Sequence, residues 1–184
     1  MPEEAYWETL FDVEGILDLH GVGCGLREVV ELGCGYGTFT IPAARRIAGT
    51  VTTFDIDEAM IERTRQRAAA AGTYNVLYVV RDVFAEGFGG GAGSKDACLL
   101  FNILHCEEPV RLLAEAARVV RPGGAVLVIH WRCDPATPRG PSMEIRPRPE
   151  QIMLWGEETG VLKAEGPTIE LPPWHYGLRL RRRG

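Results

Sequence analysis

Three alternating glycines are the residues of this sequence whose type and spacing point most directly to chemistry. Gly33, Gly35 and Gly37 follow a short apolar run, Glu28–Leu32, which is typical of a β-strand that ends at glycine. Glycine permits tight turns with positive φ, and it lets a ligand approach the main chain closely. Such a turn between a strand and a helix is typical of a nucleotide-binding site.

The spacing of this turn separates two classes of ligand. A dinucleotide site requires GxGxxG or GxGxxA, whereas the sequence has GxGxG and places Thr38 where the small residue should stand. Glu31 also puts an acid two residues before the first glycine, where a pyrophosphate would be crowded. Both features count against a nicotinamide-dependent oxidoreductase, which is kept as the alternative.

Two further carboxylates end the strands that follow the glycine turn. Asp55 ends the run 50–54, about 20 residues past the turn, where an acid accepts hydrogen bonds from both ribose hydroxyls of an adenosine ligand. The neighbouring Asp57 is predicted to cap the next helix. Asp82 lies at the end of the third strand, 75–80, just after its last residue. An aspartate after a strand is also common in turns.

Helices and strands alternate along the chain and position these residues. Apolar periodicity predicts helices over 6–19, 38–47, 57–71, 109–121 and 150–159, and strands over 28–32, 50–54, 75–80, 97–101, 125–131, 164–171 and 176–182. Strands that alternate with helices and are apolar on both faces predict a doubly wound, mostly parallel α/β sheet. The last two strands, joined without a helix, predict an antiparallel C-terminal hairpin.

The pattern ExGxGxG at residues 31–37 resembles the first motif of the class I S-adenosylmethionine-dependent methyltransferases. Residues 100–105, Leu-Phe-Asn-Ile-Leu-His, and residues 118–124, Arg-Val-Val-Arg-Pro-Gly-Gly, closely resemble motifs of small-molecule methyltransferases of the ubiquinone/menaquinone-biosynthesis type. The resemblance runs from Glu28 to the final hairpin. It implies a Rossmann-like sheet of seven strands in a single domain over 1–184, and in-line transfer of a methyl group from S-adenosylmethionine to a small-molecule acceptor.

The resemblance also implies which residues hold the cofactor. Asp55 would bind the ribose, Asp82 the adenine amino group, and the backbone around Asn102 would face the methionine end. The complete expected set is Glu31, Gly33, Cys34, Gly35, Gly37, Asp55, Ile56, Asp82, Val83 and Asn102. The motif is intact, yet a non-catalytic protein that only binds S-adenosylmethionine would carry the same residues and is a further alternative.

Candidate groups on the acceptor side follow the fourth and fifth strands. His105 is the candidate base, which is needed only where the acceptor loses a proton during transfer. His130 is expected to pack at the end of its strand. Residues 1–25 are expected to form a helical segment that covers the site. The expected substrate contacts are Trp7, Phe11, Trp131, Arg132 and Arg139.

The loop 132–149 is rich in proline and arginine. Four arginines against two acids leave a local charge of 4 − 2 = +2 in a chain of net charge −5. This excess favours an anionic acceptor, since arginine recognises carboxylates and phosphates through paired hydrogen bonds. A proline-stiffened surface loop with solvated arginines is the alternative, and Cys106 with Cys133 leaves open a thiol-binding acceptor such as trivalent arsenic.

Composition limits the remaining function classes. A net charge of −5 and a pI near 5.4 argue against a nucleic-acid partner, and the arginines at the C-terminus are interpreted as a solvated edge. No apolar run approaches the ~18 residues that span a bilayer, and residues 1–7 lack the pattern of a secretory signal. Five cysteines without CxxC spacing predict reduced thiols, no metal site and a cytoplasmic location.

Overall fold

The computed structural model describes residues 2–184, which form two compact units, one ending at Gly89 and the other beginning at Gly90. Met1, where the expected covering segment 1–25 starts, lies outside the described residues. The single domain expected over 1–184 stays a prediction, and each unit is described by itself.

The first unit is a three-stranded parallel sheet with helices before and between its strands. Its strands lie in the order β3-β2-β1, with Val30 paired to Thr52 and Thr52 to Leu77. Because the strands are parallel, the residues that follow each of them lie at the same edge. The elements are α1 (Glu4–Glu8), α2 (Val13–Leu19), β1 (Glu28–Leu32), α3 (Thr40–Arg46), β2 (Thr50–Asp55), α4 (Glu58–Ala70), β3 (Val76–Val80) and α5 (Val83–Glu86).

The second unit combines one parallel strand pair with antiparallel strands from the C-terminal part of the chain. Its strands lie in the order β4-β5-β8-β6, and β7 also pairs with β8. The long pair β5–β8 runs antiparallel from Ala125 opposite Arg181 to Trp131 opposite His175. The elements are β4 (Lys95–Phe101), α6 (Pro109–Val119), β5 (Val120–Trp131), a short 3-10 helix (Met143–Ile145), α7 (Pro149–Glu158), β6 (Leu162–Ala164), β7 (Ile169–Leu171) and β8 (His175–Arg182).

Apolar strand residues supply the core of each unit. Val29 and Val51 of the first unit and Leu99 and Val128 of the second are completely buried. Helix α6 adds a buried apolar stripe that includes Leu113. Strands with such near-continuous apolar runs require cover on both faces, which is the reason helices separate them along the chain.

Two sequence predictions about single elements were wrong. The helix expected over 6–19 is two short helices, because the Asp12 carboxylate accepts the Gly15 N–H at 3.1 Å and begins a new helix there. The strand expected over 164–171 is divided into β6 and β7, because Gly166 turns the chain with φ of 76°. The division gives eight strands among residues 2–184 where seven were expected.

The predicted fold class is confirmed: strands alternate with helices, the pairs β1–β2, β2–β3 and β4–β5 are parallel, and the C-terminal strands are antiparallel. The predicted Asp57 cap is also confirmed, since its carboxylate accepts the Ala59 N–H at 2.9 Å. Within residues 2–184, no helix has both the length and the apolar character that crossing a bilayer requires.

Candidate functional site

The glycine turn after β1 uses its own amides to hold its shape. Gly33, Gly35 and Gly37 have φ of 83°, 51° and 77°. The Gly33 N–H donates to the Phe54 carbonyl at 2.7 Å, and the Gly37 N–H donates to the Cys34 carbonyl at 2.8 Å. The Gly35 N–H donates to an Asp55 carboxylate oxygen at 3.2 Å. Three of the donors that a pyrophosphate would use are therefore already satisfied within the protein.

The carboxylate of Asp55 is fixed beside this turn. Its Oδ2 accepts from the Gly35 N–H, with the Cys34 thiol at 3.6 Å, and its Oδ1 accepts the Asp57 N–H at 3.0 Å. The next residue, Ile56, is 70% exposed, which places an apolar side chain in solvent directly after the acid. The arrangement offers carboxylate oxygens for hydroxyl donors next to an apolar surface, and it repels a phosphate.

Glu31 lies inside the first unit. Its Oε2 accepts hydrogen bonds from Thr40 at 2.5 Å and Thr53 at 2.8 Å, so the carboxyl group links β1 to α3 and β2. Burial raises its pKa to about 7, and the two hydroxyl bonds offset only part of that effect. Glu31 thus holds together the elements on either side of the glycine turn, and its expected contact with the cofactor stays a prediction.

The acid after β3 begins a helix that the sequence analysis missed. Oδ1 of Asp82 accepts the N–H groups of Phe84 at 2.9 Å and Ala85 at 3.2 Å, which caps α5. Val83, the first residue of α5, is buried. The spacing of an aspartate before Val-Phe-Ala-Glu was the signal for this helix. Its capping bonds occupy Oδ1, so the adenine contact expected of Asp82 falls to Oδ2 and is also still a prediction.

The N-terminal helix is tied to the glycine turn and to α4. Glu4 pairs with Arg63 at 2.8 Å, and both Glu4 and Glu8 pair with Arg67. Arg67 also donates to the Tyr36 carbonyl at 2.6 Å, within the glycine turn. The sequence analysis missed these ion pairs, although two acids and two arginines, each pair spaced by four residues, were the available signal.

The two aromatic residues expected to contact substrate lie together. The rings of Trp7 and Phe11 have centroids 4.9 Å apart, and Phe11 lies 5.2 Å from Phe39. Each pair is arranged edge to face, which is the favoured geometry for aromatic contacts. The cluster therefore packs the N-terminal segment against the start of α3.

In the second unit, the residues after β4 have an unusual backbone. Asn102 has φ of 58°, and among residues 2–184 it is the one position other than glycine with positive φ. Its N–H donates to the Ile129 carbonyl at 2.8 Å, while its Oδ1 is buried without a hydrogen-bond partner. Strained conformations of this kind concentrate at ligand sites.

The candidate base lies close to a second histidine. The ring centroids of His105 and His130 are 5.5 Å apart, and His105 Nδ1 and His130 Nε2 are buried without hydrogen-bond partners. Burial lowers the pKa of both imidazoles, to about 3 for the fully buried His130. Both rings are therefore neutral at physiological pH, and neutral imidazole can accept a proton.

The three expected substrate residues near the end of β5 differ in what they contact. Trp131 is buried, with its ring centroid 4.1 Å from that of His175. Arg132 donates to the His175 carbonyl at 3.0 Å and forms an ion pair with Glu170. Arg139 is exposed. Of these three, Arg139 is the side chain that lies in solvent, and its expected contact with substrate stays a prediction.

Arg146 organises the loop 132–149, a role that the sequence analysis missed. Its guanidinium donates to the carbonyls of Pro141 at 2.8 Å, Arg132 at 3.0 Å and Arg139 at 3.0 Å, and also to the Thr137 hydroxyl. No local signal distinguishes this arginine from its neighbours in the sequence. The loop is accordingly an ordered element built around one cation.

The cysteines and acids in the described part of the chain are not arranged as a metal-binding group. Among residues 2–184, no set of three or more His, Cys, Asp or Glu side chains is placed to hold a metal ion. The Cys133 thiol lies 3.3 Å from the Arg146 carbonyl, and burial raises the pKa of Cys106. Burial also holds the pKa of the Cys34 thiol far above its usual range, so this thiol stays protonated.

Comparison with known proteins gives a family match and many similar folds. The family model described as a methyltransferase domain matches residues 29–124, slightly more than half of the chain. The crystal structure of a SAM dependent methyltransferase from Aquifex aeolicus superposes with a TM-score of 0.83 and 22% identity, covering 97% of this chain and 93% of that one. This likeness confirms the fold.

Two curated relatives carry names that state an acceptor. Aklanonic acid methyltransferase DauC from Streptomyces sp. is 32% identical over 54% of this chain and 46% of its own length. The 23S rRNA (uracil(1939)-C(5))-methyltransferase RlmD from Alkalilimnicola ehrlichii is 35% identical over 68% of this chain and 27% of its own length. The chain spans about half or less of the length of the curated relatives it matches.

Proposed function

Because this chain belongs to the methyltransferase domain family, we propose that it transfers a methyl group from S-adenosylmethionine to a small-molecule acceptor. Family membership confirms the predicted resemblance and the predicted cofactor class. The observation that carries the proposal is the glycine turn, whose amides are bonded within the protein and whose neighbour is a fixed carboxylate.

The residues of this turn fit an adenosyl sulfonium and do not fit a pyrophosphate. Asp55 offers carboxylate oxygens to ribose hydroxyls, and the exposed Ile56 offers an apolar face to the adenine ring. A negative charge beside the turn attracts a cationic ligand and repels a polyanion. The same argument disfavours the nicotinamide-dependent oxidoreductase, whose dinucleotide carries two phosphates.

When bound, S-adenosylmethionine supplies a methyl group that the positive sulfur already makes electrophilic. The protein therefore acts mainly by orientation, an effect worth up to about 7–11 kcal/mol of the barrier. We assign cofactor binding to residues 31–37, Asp55, Ile56, Asp82 and Val83 of the first unit, and the backbone at Asn102 to the methionine end. His105 is the proton acceptor for acceptors that lose a proton.

A small-molecule acceptor is favoured over RNA, the acceptor in the name of one relative. The chain has a net charge of −5, whereas RNA binding relies on a basic face. Near the C-terminus, Arg179 and Arg181 both pair with Glu165, which neutralises part of the basic segment. A cytoplasmic location and an anionic group on the acceptor, facing the exposed Arg139, are parts of the same proposal.

Calorimetry with S-adenosylhomocysteine tests the cofactor site. Asp55→Asn removes the charge that accepts two hydrogen bonds, and we expect a loss of affinity of about 1–3 kcal/mol, or roughly 5- to 150-fold. Asp57→Asn is the matched control, because asparagine caps a helix as well as aspartate does and the affinity should not change. Equal affinities for Asp55→Asn and the wild type, or saturable NADH binding by the wild type, would contradict the assignment.

A further inference from the structure

Three buried polar atoms that lack hydrogen-bond partners lie where β4 and β5 end. They are Oδ1 of Asn102, Nδ1 of His105 and Nε2 of His130. The Asn102 N–H reaches the Ile129 carbonyl, next to His130, and the two histidine rings are 5.5 Å apart. Buried polar atoms are rarely unpaired in proteins, and the exceptions mark ligands, waters or catalytic groups. These three atoms form one group, which we call the β4–β5 polar cluster.

All three atoms of the β4–β5 polar cluster are suited to accept hydrogen bonds. The amide oxygen of Asn102 has lone pairs and no hydrogen. Nδ1 of His130 lies 3.4 Å from the Trp131 carbonyl oxygen, so the ring hydrogen belongs on Nδ1 and the lone pair on Nε2. His105 is half-buried, and with its hydrogen on Nε2 its buried Nδ1 is the third acceptor.

Burial is the main reason that the lone pairs of the two histidines stay free of protons. Burial is the main cause of the lowered pKa of His130, and His105 and Arg146 act in the same direction. The neighbouring His175 is neutral for the same reason, with Arg132 and Arg146 lowering its pKa further. A cationic ligand would be repelled by Arg146, whose charge helps to lower the pKa of His130, and a carboxylate has no hydrogen to donate. The cluster therefore selects an uncharged hydrogen-bond donor.

We propose that the β4–β5 polar cluster is the acceptor subsite and binds the methyl acceptor through an uncharged O–H or N–H group. This inference rests on the methyltransferase function proposed above. The acceptor atom bonds to the methyl carbon and gives its proton to Nδ1 of His105, while the electron pair of the broken S–CH3 bond stays on sulfur. His105 is thus the catalytic residue, and His130 and Asn102 bind and orient the donor.

Histidine imidazole NMR tests this subsite directly. Protein labelled with 15N-histidine is titrated with phenol, benzamide, benzoate or benzylammonium, each with and without S-adenosylhomocysteine. We expect His130 to carry its hydrogen on Nδ1 at pH 7. We also expect phenol and benzamide to shift the His130 Nε2 resonance, and benzoate and benzylammonium to leave it unchanged. A hydrogen on Nε2, or a resonance that none of the four probes moves, would overturn the proposal.

Substitutions distinguish a loss of ligand binding at the subsite from a general loss of structure. His130→Phe keeps a ring and removes the lone pair, so we expect phenol to bind about tenfold more weakly, the loss of about 1.4 kcal/mol that one hydrogen bond gives. The affinity for S-adenosylhomocysteine should be unchanged. His20→Phe replaces an equally buried histidine of the first unit and should change neither affinity. If His130→Phe does not fold, His105→Gln at its half-exposed position provides the same test with a similar expected loss.

The two proposals fail in different ways. If wild-type protein binds S-adenosylhomocysteine but the probes do not move His130, the subsite is wrong and the methyltransferase assignment stands. If S-adenosylhomocysteine does not bind, the proposed function fails, and the role of the cluster in methyl transfer fails with it. Phenol binding that is unchanged by both His130→Phe and His105→Gln would also overturn the proposed subsite.

Discussion

The buried histidines give the folded protein a specific dependence on pH. His130 and His175 have pKa values near 3 in the fold, mainly because burial disfavours the charged ring, against 6.5 for an exposed imidazole. Between pH 6.5 and pH 3, these two histidines therefore bind protons in the unfolded chain but stay neutral in the folded chain. This contribution to stability is complete above pH 6.5 and is lost as the pH falls toward 3.

Glu31 acts in the opposite direction over the same range. Its folded pKa of about 7 lies above the ordinary 4.5, so its contribution is complete below pH 4.5 and is lost as the pH rises through 7. As the pH falls from 6.5 to 5, protonation of the two histidines in the unfolded chain lowers the unfolding free energy by about 3 kcal/mol. Over the same range, protonation of Glu31 in the folded chain raises it by about 2 kcal/mol. Burial also lowers the pKa of His105, which acts in the same direction as the two histidines. The lowered pKa values of Glu4 and Glu165 act mainly below this range.

Urea denaturation at pH 5.0, 5.5, 6.0 and 6.5, at constant ionic strength, measures this balance. We expect the wild type to lose roughly 1–2 kcal/mol over the range. His130→Phe removes one titrating ring, so its stability should fall clearly less between pH 6.5 and pH 5 than that of the wild type. Glu31→Gln keeps all the titrating histidines and should lose more stability than the wild type, about 3 kcal/mol. A His130→Phe variant with the same pH dependence as the wild type would refute the reasoning.

Two further predictions concern the first unit. Arg67→Ala should lower the unfolding free energy by up to about 1–2 kcal/mol and speed amide exchange in α1, because it removes pairs with two acids and one carbonyl. Arg65→Ala on the same helix breaks one surface pair and a cation–π contact with Tyr78, neither of which involves α1, so amide exchange in α1 should change far less. Gly37→Ala should cost about 2–3 kcal/mol in urea denaturation, since its Cβ would lie 2.9 Å from Thr64 at a φ of 77°. Gly123→Ala has a similar φ and open space, so a cost above about 1–2 kcal/mol there would contradict this explanation.

Local signals in the sequence were sufficient for much of the first unit. Alternate glycines after an apolar run predict the positive-φ turn, and an aspartate before a periodic segment predicts the cap that Asp57 provides. Such signals act within four residues of one another, so they can be read without knowledge of the fold. The same range explains the misplaced helix over 6–19, where apolar periodicity outweighed the capping signal of Asp12.

The features that the sequence did not predict depend on residues far apart in the chain. Glu31 is held by Thr40 and Thr53, and neither threonine differs in pattern from other threonines of the sequence. His105 and His130 are 25 positions apart and meet because β4 and β5 are parallel neighbours. Such meetings follow from strand pairing, which residue spacing along the chain does not encode.

Arg146 has a consequence for the shape of the loop that follows β5. Each of its donors ends on a different part of residues 132–141, so no part can shift without breaking bonds made by the others. The segment therefore keeps its shape without a hydrophobic core of its own. Any molecule that contacts this loop therefore meets a contour that is already fixed.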